Sequence, residues 1–145
     1  MDFGDALAAD ALCQGAADDA GLGGTYRAWI SDYWTSPALR FTHPDAPYEL
    51  VDGTPIADDW NDLVDGQLHS PIGRNELGLA VDPLNTYVVT ATTAQGDPQV
   101  FNGNCDGWTD LYQFAGIGDV QDTILWSDSS AMFCSWSMSL YCFEQ

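Results

Sequence analysis

The sequence predicts a single α+β domain held by disulfides. An alanine-rich stretch of helical period opens the chain, and short strand-like segments between Gly and Pro turns follow it. Four cysteines are spread over its length: Cys13, Cys105, Cys134 and Cys142. A length of 145 residues fits one domain, residues 1–145. With 46% hydrophobic residues and six each of Trp, Tyr and Phe, the chain can bury a core and is not a disordered acidic tail.

A helix is predicted over 4–20. Leu7, Ala8, Ala11, Leu12, Ala16 and Ala20 recur near the helical period and are expected to face the core, with Asp10, Gln14, Asp18 and Asp19 outward. Asp5 suits the positive end of the helix dipole. Gly21 suits a left-handed cap, with Leu22 folding back on the last turn. After the Gly23-Gly24 turn, 25–31 alternates as a strand. Tyr33, Trp34 and Pro37 fall in an irregular stretch, Leu39-Arg40-Phe41 in a short strand, and 43–47 in a loop. Tyr48-Glu49-Leu50-Val51 reads as a strand ending in the Asp52-Gly53 turn signal. Trp60, Leu63 and Val64 give 58–64 one apolar helical face, with Asp58 or Asp59 as cap and Gly66 as stop. Residues 67–86, punctuated by Pro and Gly, form a loop long enough to expect a function of it. Residues 87–92 give the strongest strand pattern. A polar loop at 102–110, a loop at 115–123 and a short strand at 124–126 come next. The unbroken apolar run 140–143 suits a central strand buried on both faces.

The formal charge is −19, from three arginines (Arg27, Arg40, Arg74), no lysine, 19 aspartates and three glutamates. A phosphate backbone would be repelled, which excludes nucleic acid as a partner, and anionic membrane surfaces are disfavoured. No apolar run reaches the ~18 residues of a membrane span, so no membrane insertion is expected. The acidity has two compatible readings: the solvated shell of a halophilic protein, or aspartates that bind calcium.

Four cysteines allow three pairings. None sits in Cys-x-x-Cys spacing, and the two histidines, His43 and His69, give no zinc ligand set at usable spacing along the chain. Disulfides in an exported domain are the expected use, placing the protein outside the cell or on its surface. Residues 1–5 are acidic where a signal peptide is basic, so the leader is expected to lie outside this sequence.

Four segments, in order and spanning nearly the whole chain, resemble endostatin, the C-terminal domain of certain vertebrate collagens, and related bacterial domains. They are Cys13 to Ser31 with its Gly-Leu-x-Gly-Thr turn, Tyr48 to Gly66 with its Trp-bearing short helix, Val88 to Thr109 with Cys-x-x-Trp, and the Cys…Leu-x-Cys-x-Glu ending at 134–144. The resemblance implies a C-type lectin-like fold. Such a fold has a mixed, mostly antiparallel sheet, two helices, long loops and nested disulfides, here Cys13–Cys142 and Cys105–Cys134. Loops of 129 and 29 positions would contribute roughly 5 and 3.6 kcal/mol in the chain-entropy model, and are not additive when nested. The arginine-rich heparin surface of endostatin has only Arg27 as counterpart, so heparin-like polyanions are disfavoured. The N-terminal zinc-binding histidines of that family are missing.

Candidate sites follow. Asn102, Asn104, Asp106 and Asp110 form an oxygen-rich loop beside Cys105, although without EF-hand spacing. Local backbone bonding is the expected use of those side chains. Asp58, Asp59, Asp62 and Asp65 crowd one short helix as cap and solvated face, or hold calcium together with the 67–86 loop. Trp60-Asn61-Asp62 spells a triplet that calcium-dependent lectins use, here out of place, with Trp60 expected in the core. Trp29, Trp60 and Trp108 are expected to be core. Trp34 and Trp136, with Tyr33, are candidates for an exposed ligand or partner surface. The serines lack an evident base and no Gly-x-Ser-x-Gly motif occurs, so no catalytic residue is assigned. The expected function is a noncatalytic binding or structural module recognising a surface protein or glycan. The alternative is a calcium-dependent carbohydrate-binding adhesion domain. No cofactor is required; calcium is the ion the loops leave room for.

Self-repulsion of this charge extends over a Debye length of ~30 Å at 0.01 M salt and ~3 Å at 1 M. The melting temperature should therefore rise with NaCl, and a flat or falling series in scanning calorimetry would contradict this.

Overall fold

The computed structural model describes residues 3–100 and 103–145. Helix α1 (Ala6–Asp19) starts where the extended Asp5 accepts the Ala8 amide at 2.8 Å. It stops at Gly21, whose φ of 71° lets the Leu22 amide return to the Ala17 carbonyl. The buried face differs from the expected one. Ala6, Ala9, Cys13 and Ala17 are buried, whereas Leu7 and Leu12 are exposed. The cause is polar: Asp10 and Gln14 face the sheet, and their side-chain oxygens accept the Ala28 and Tyr26 amides, both at 2.8 Å. These amides lie on the outer edge of strand β1 (Tyr26–Ala28) and would otherwise be orphaned under the helix.

The inner edge of β1 pairs antiparallel with β7 (Cys142–Glu144), Arg27 opposite Phe143. The expected central strand at 140–143 is thus corrected. The ladder covers 142–144, β1 is the one strand paired with it among the described residues, and Cys142 and Glu144 are exposed. Strands β2 (Tyr48–Glu49) and β3 (Pro55–Ala57) form a hairpin around Gly53, whose φ is 85°. A third antiparallel sheet has the order β4 (Tyr87–Val89), β5 (Phe114–Asp119), β6 (Ser130–Phe133). It joins the β1–β7 pair through Ser31 N–H to Thr90 O and Val89 N–H to Ser139 O, at 3.1 and 3.0 Å.

Other expectations shift for local reasons. The short strand at 39–41 is a single helical turn, α2 (Pro37–Arg40), because Pro37 has the fixed φ and missing amide that suit a first helical position. The strand at 87–92 ends at Val89 because Ala91 takes a φ of 46°, and both Thr90 and Ala91 donate to Gly116 O. The loop at 115–123 is largely β5. Its glycines read as turn residues but admit close neighbours: a Cβ on Gly118 would lie 1.7 Å from the Trp126 carbonyl oxygen. The strand at 124–126 is a turn organised by Asp122, which accepts the Ile124 and Leu125 amides. Strand β6 was not expected. The short helix at 58–64 is α3 (Trp60–Leu63), with Asp59 as its cap accepting the Asp62 amide at 3.0 Å. The polar loop at Cys105 contains α4 (Cys105–Trp108), a left-handed turn whose four residues have φ between 52° and 68°.

The fold is therefore mixed α+β with small antiparallel sheets and, among the described residues, four helices rather than two, three of them single turns. Two disulfides, Cys13–Cys142 and Cys105–Cys134, are the pairs the resemblance implies. Side chains alternate across the backbone layer. Trp29 and Val88 enter an aromatic cluster with Phe41, Trp60, Trp126 and Phe143. Ala28, Ile30 and Val89 enter a second cluster, against α1 and Trp108. Trp29 is the hub of the first, with ring centroids at 4.8 Å from Trp126 and 5.5 Å from Phe143.

Asp10 also forms a mostly buried ion pair with Arg40 at 2.5 Å, their side chains 16% and 10% exposed. Asp10→Ala should cost about 3–5 kcal/mol in urea unfolding, because it leaves a guanidinium without its buried counter-charge. A cost below 1 kcal/mol would show the joint to be dispensable.

Candidate functional site

A groove of about 680 Å³ opens on one side of the fold. It runs between the C-terminal half of α1, strand β7, the β2–β3 hairpin and the 67–86 loop. The chain builds it from elements already pinned. Cys13–Cys142 fixes α1 against β7, and Ile56 and Tyr48 turn the hairpin's buried side to it. The long loop is anchored at both ends, where Leu68 N–H donates to Thr123 O and Val120 N–H to Thr86 O, and is closed on itself by Val81 N–H to Gly73 O. Ile72 and Val81 extend its apolar lining.

The groove borders an open sheet edge. Trp29 N–H bonds Tyr141 O, and Gln145 N–H bonds Thr25 O, so odd-numbered residues of the last segment face β1. The amides and carbonyls of Cys142 and Glu144 turn the other way. Four charged side chains line the groove. All three glutamates, Glu49, Glu76 and Glu144, line it. Arg74 lines it too, but its Nε is paired with Asp52 at 3.0 Å. Hydrogen bonds from Thr54, with Arg74 nearby, hold the Asp52 carboxyl below its ordinary range. Burial and the charge of Asp59 push the Tyr48 phenol up to about 12. Burial and then Glu144 raise Tyr26, and burial with Asp119 takes Tyr141 well above the phenol range.

The residues singled out from sequence fall elsewhere. Trp34 is 89% exposed and Trp136 is 58% exposed. Trp136 lines a shallow pocket of about 250 Å³ with Phe3, Leu12 and Met138. Tyr33 is exposed, donates to Asp106 at 2.7 Å and packs on Gly107. Of the oxygen-rich loop, Asn102 lies outside the described residues. Asn104 caps α4 by accepting the Gly107 amide, and Asp110 accepts the Tyr112 amide. Trp29, Trp60, Trp108 and Trp126 are buried.

All three arginines are engaged inside the chain. Arg27 donates to the Arg40 carbonyl, Arg40 to Asp10 and to the Ala28 carbonyl, and Arg74 to Asp52. His43 stacks on Trp60 with centroids 4.0 Å apart. His69 meets the crowded aspartates: its Nε2 lies 3.0 Å from Asp62 Oδ2 and its Nδ1 3.9 Å from Asp58 Oδ1. The groove escaped sequence reasoning because its walls come from segments far apart in the chain; the length of the 67–86 loop was the available signal. The chain matches no protein-family model and no curated protein.

The raised phenols give a pH dependence. Folding holds Tyr48 and Tyr141 neutral, so their contribution is complete below the unfolded pKa of ~10. It declines as pH rises toward the folded value, about 12 for Tyr48. Urea midpoints should fall between pH 10 and 12, and Tyr48→Phe should make the decline shallower. Equal slopes for Tyr48→Phe and the native chain would contradict the assignment.

Proposed function

We propose that the protein is a noncatalytic, extracellular or cell-surface binding module of endostatin-like, C-type lectin-like fold. Its groove takes an extended segment of a partner protein that carries basic and apolar side chains. The observation that carries this reading is the groove itself, about 680 Å³ with an open strand edge along one wall. An extended peptide added to such an edge gains main-chain hydrogen bonds, while pockets read alternate side chains. Three glutamates set the sign of the partner, and like charge opposite them costs several kcal/mol. The Cys13–Cys142 bond in the groove wall supports the exported location, since such bonds persist in oxidising compartments. No helix of the described residues is long and apolar enough to cross a membrane.

The test is a displayed random-peptide library alongside a glycan array, each with calcium and with EDTA. Enriched peptides should be basic and apolar. They should lose ~10-fold or more affinity with the Glu49→Lys/Glu144→Lys double variant, a cost on the order of 1.4 kcal/mol. Calcium-dependent glycan binding with no peptide enrichment would instead establish the adhesion-lectin reading. Peptides whose binding ignores the double variant would move the site away from the groove.

A further inference from the structure

We propose that Asp58, Asp62 and His69 form a binding site for a divalent transition-metal ion, with zinc the best match to the donors. None of the three lines the groove. Among the described residues they are the group of three acidic or imidazole side chains whose ligand atoms all fall within 4.8 Å of one another.

The donors come from three places. Asp58 precedes the α3 cap, Asp62 lies in α3, and His69 comes from the long loop. Hydrogen bonds hold the backbones of Asp58 and His69. The Asp58 amide donates to Asp62 Oδ2 at 2.7 Å, and the His69 amide donates to the Ile56 carbonyl at 2.9 Å. Next to it the buried Leu68 anchors the loop through Thr123. The Nε2–Oδ2 separation of 3.0 Å is close to the ~3.3 Å between two ligands at ~2.0–2.1 Å in a tetrahedral zinc site. Asp58 completes the set by rotating a side chain that is 83% exposed.

Donor chemistry selects the ion. Calcium wants six to eight oxygens, which these residues do not supply. One imidazole and two carboxylates suit zinc, with an open position left for water. Charge favours occupancy. Each of the three arginines is engaged elsewhere and the chain has no lysine, so no arginine or lysine is available to neutralise this pair. A net charge of −19 raises the local concentration of cations around it.

The experiment is calorimetric titration of the folded, disulfide-intact protein with ZnCl₂. CaCl₂ and MgCl₂ at matched ionic strength are the controls, with ¹H–¹⁵N spectra of the imidazole nitrogens in parallel. One equivalent of zinc should bind and move the His69 ring resonances, while those of His43, stacked on Trp60, stay in place. His69→Ala removes a half-exposed side chain and should keep the far-ultraviolet circular dichroism while weakening zinc at least ~10-fold. Asp62→Asn should weaken it likewise. Unmoved His69 resonances at saturating zinc, zinc affinity unchanged in His69→Ala, or displacement of zinc by equimolar calcium would each overturn the proposal.

Discussion

Asp10 is the joint on which the arrangement of α1 depends. Its carboxylate accepts the Ala28 amide and the Arg40 guanidinium, and Arg40 reaches the Ala28 and Ile30 carbonyls. A buried charge tolerates the loss of water when its oxygens are bonded, and both carboxylate oxygens of Asp10 accept hydrogen bonds. With Gln14 beside it, α1 fills the place of a missing strand at the edge of β1. That orientation brings Cys13 to Cys142 and Ala17 to the groove, so the wall of the site is set by a polar contact inside the helix–sheet interface.

This explains where the sequence was legible. Caps and turns are local chemistry, so the Gly21 stop, a cap at Asp58 or Asp59 and the Asp52-Gly53 turn were readable from their neighbours alone. Asp5 was legible as an acidic residue at the helix start and not as its cap. The disulfide pairing came from the resemblance, since four cysteines alone leave three options. The buried face of α1 was misread because polarity stood in for exposure. Asp10 and Gln14 are polar and inward, and Leu7 and Leu12 apolar and outward. Only tertiary partners, β1 amides and Arg40, decide that. Strand β5 was read as loop for a related reason, since Gly116 and Gly118 are there to admit Gln99 and the Trp126 carbonyl. The groove and the Asp58–Asp62–His69 cluster join distant segments, which no period or spacing along the chain encodes.

Three of the four non-glycine residues with positive φ among the described residues fall in the left-handed turn at Cys105–Trp108. Left-handed geometry costs a non-glycine residue about 1–2 kcal/mol, and three of its four residues are not glycine. The surroundings hold it in place. Cys105 is bonded to Cys134, Trp108 is fully buried with its Nε1–H on the Ser31 carbonyl, and Asn104 accepts the Gly107 amide. Tyr33 is thereby set above Gly107 with its hydroxyl on Asp106. The shape of this end of the molecule is imposed by tertiary bonds against local preference.

The open edge of β7 has a consequence for self-association. An unpaired strand edge is a template for pairing with other strands, those of identical copies included. Two copies docking edge to edge would bring Glu144 toward Glu144 and set two bodies of charge −19 side by side. A basic strand meets no such barrier. The same acidity that would favour a basic segment at the edge opposes pairing with its own kind. That protection thins as salt shortens the reach of the charge.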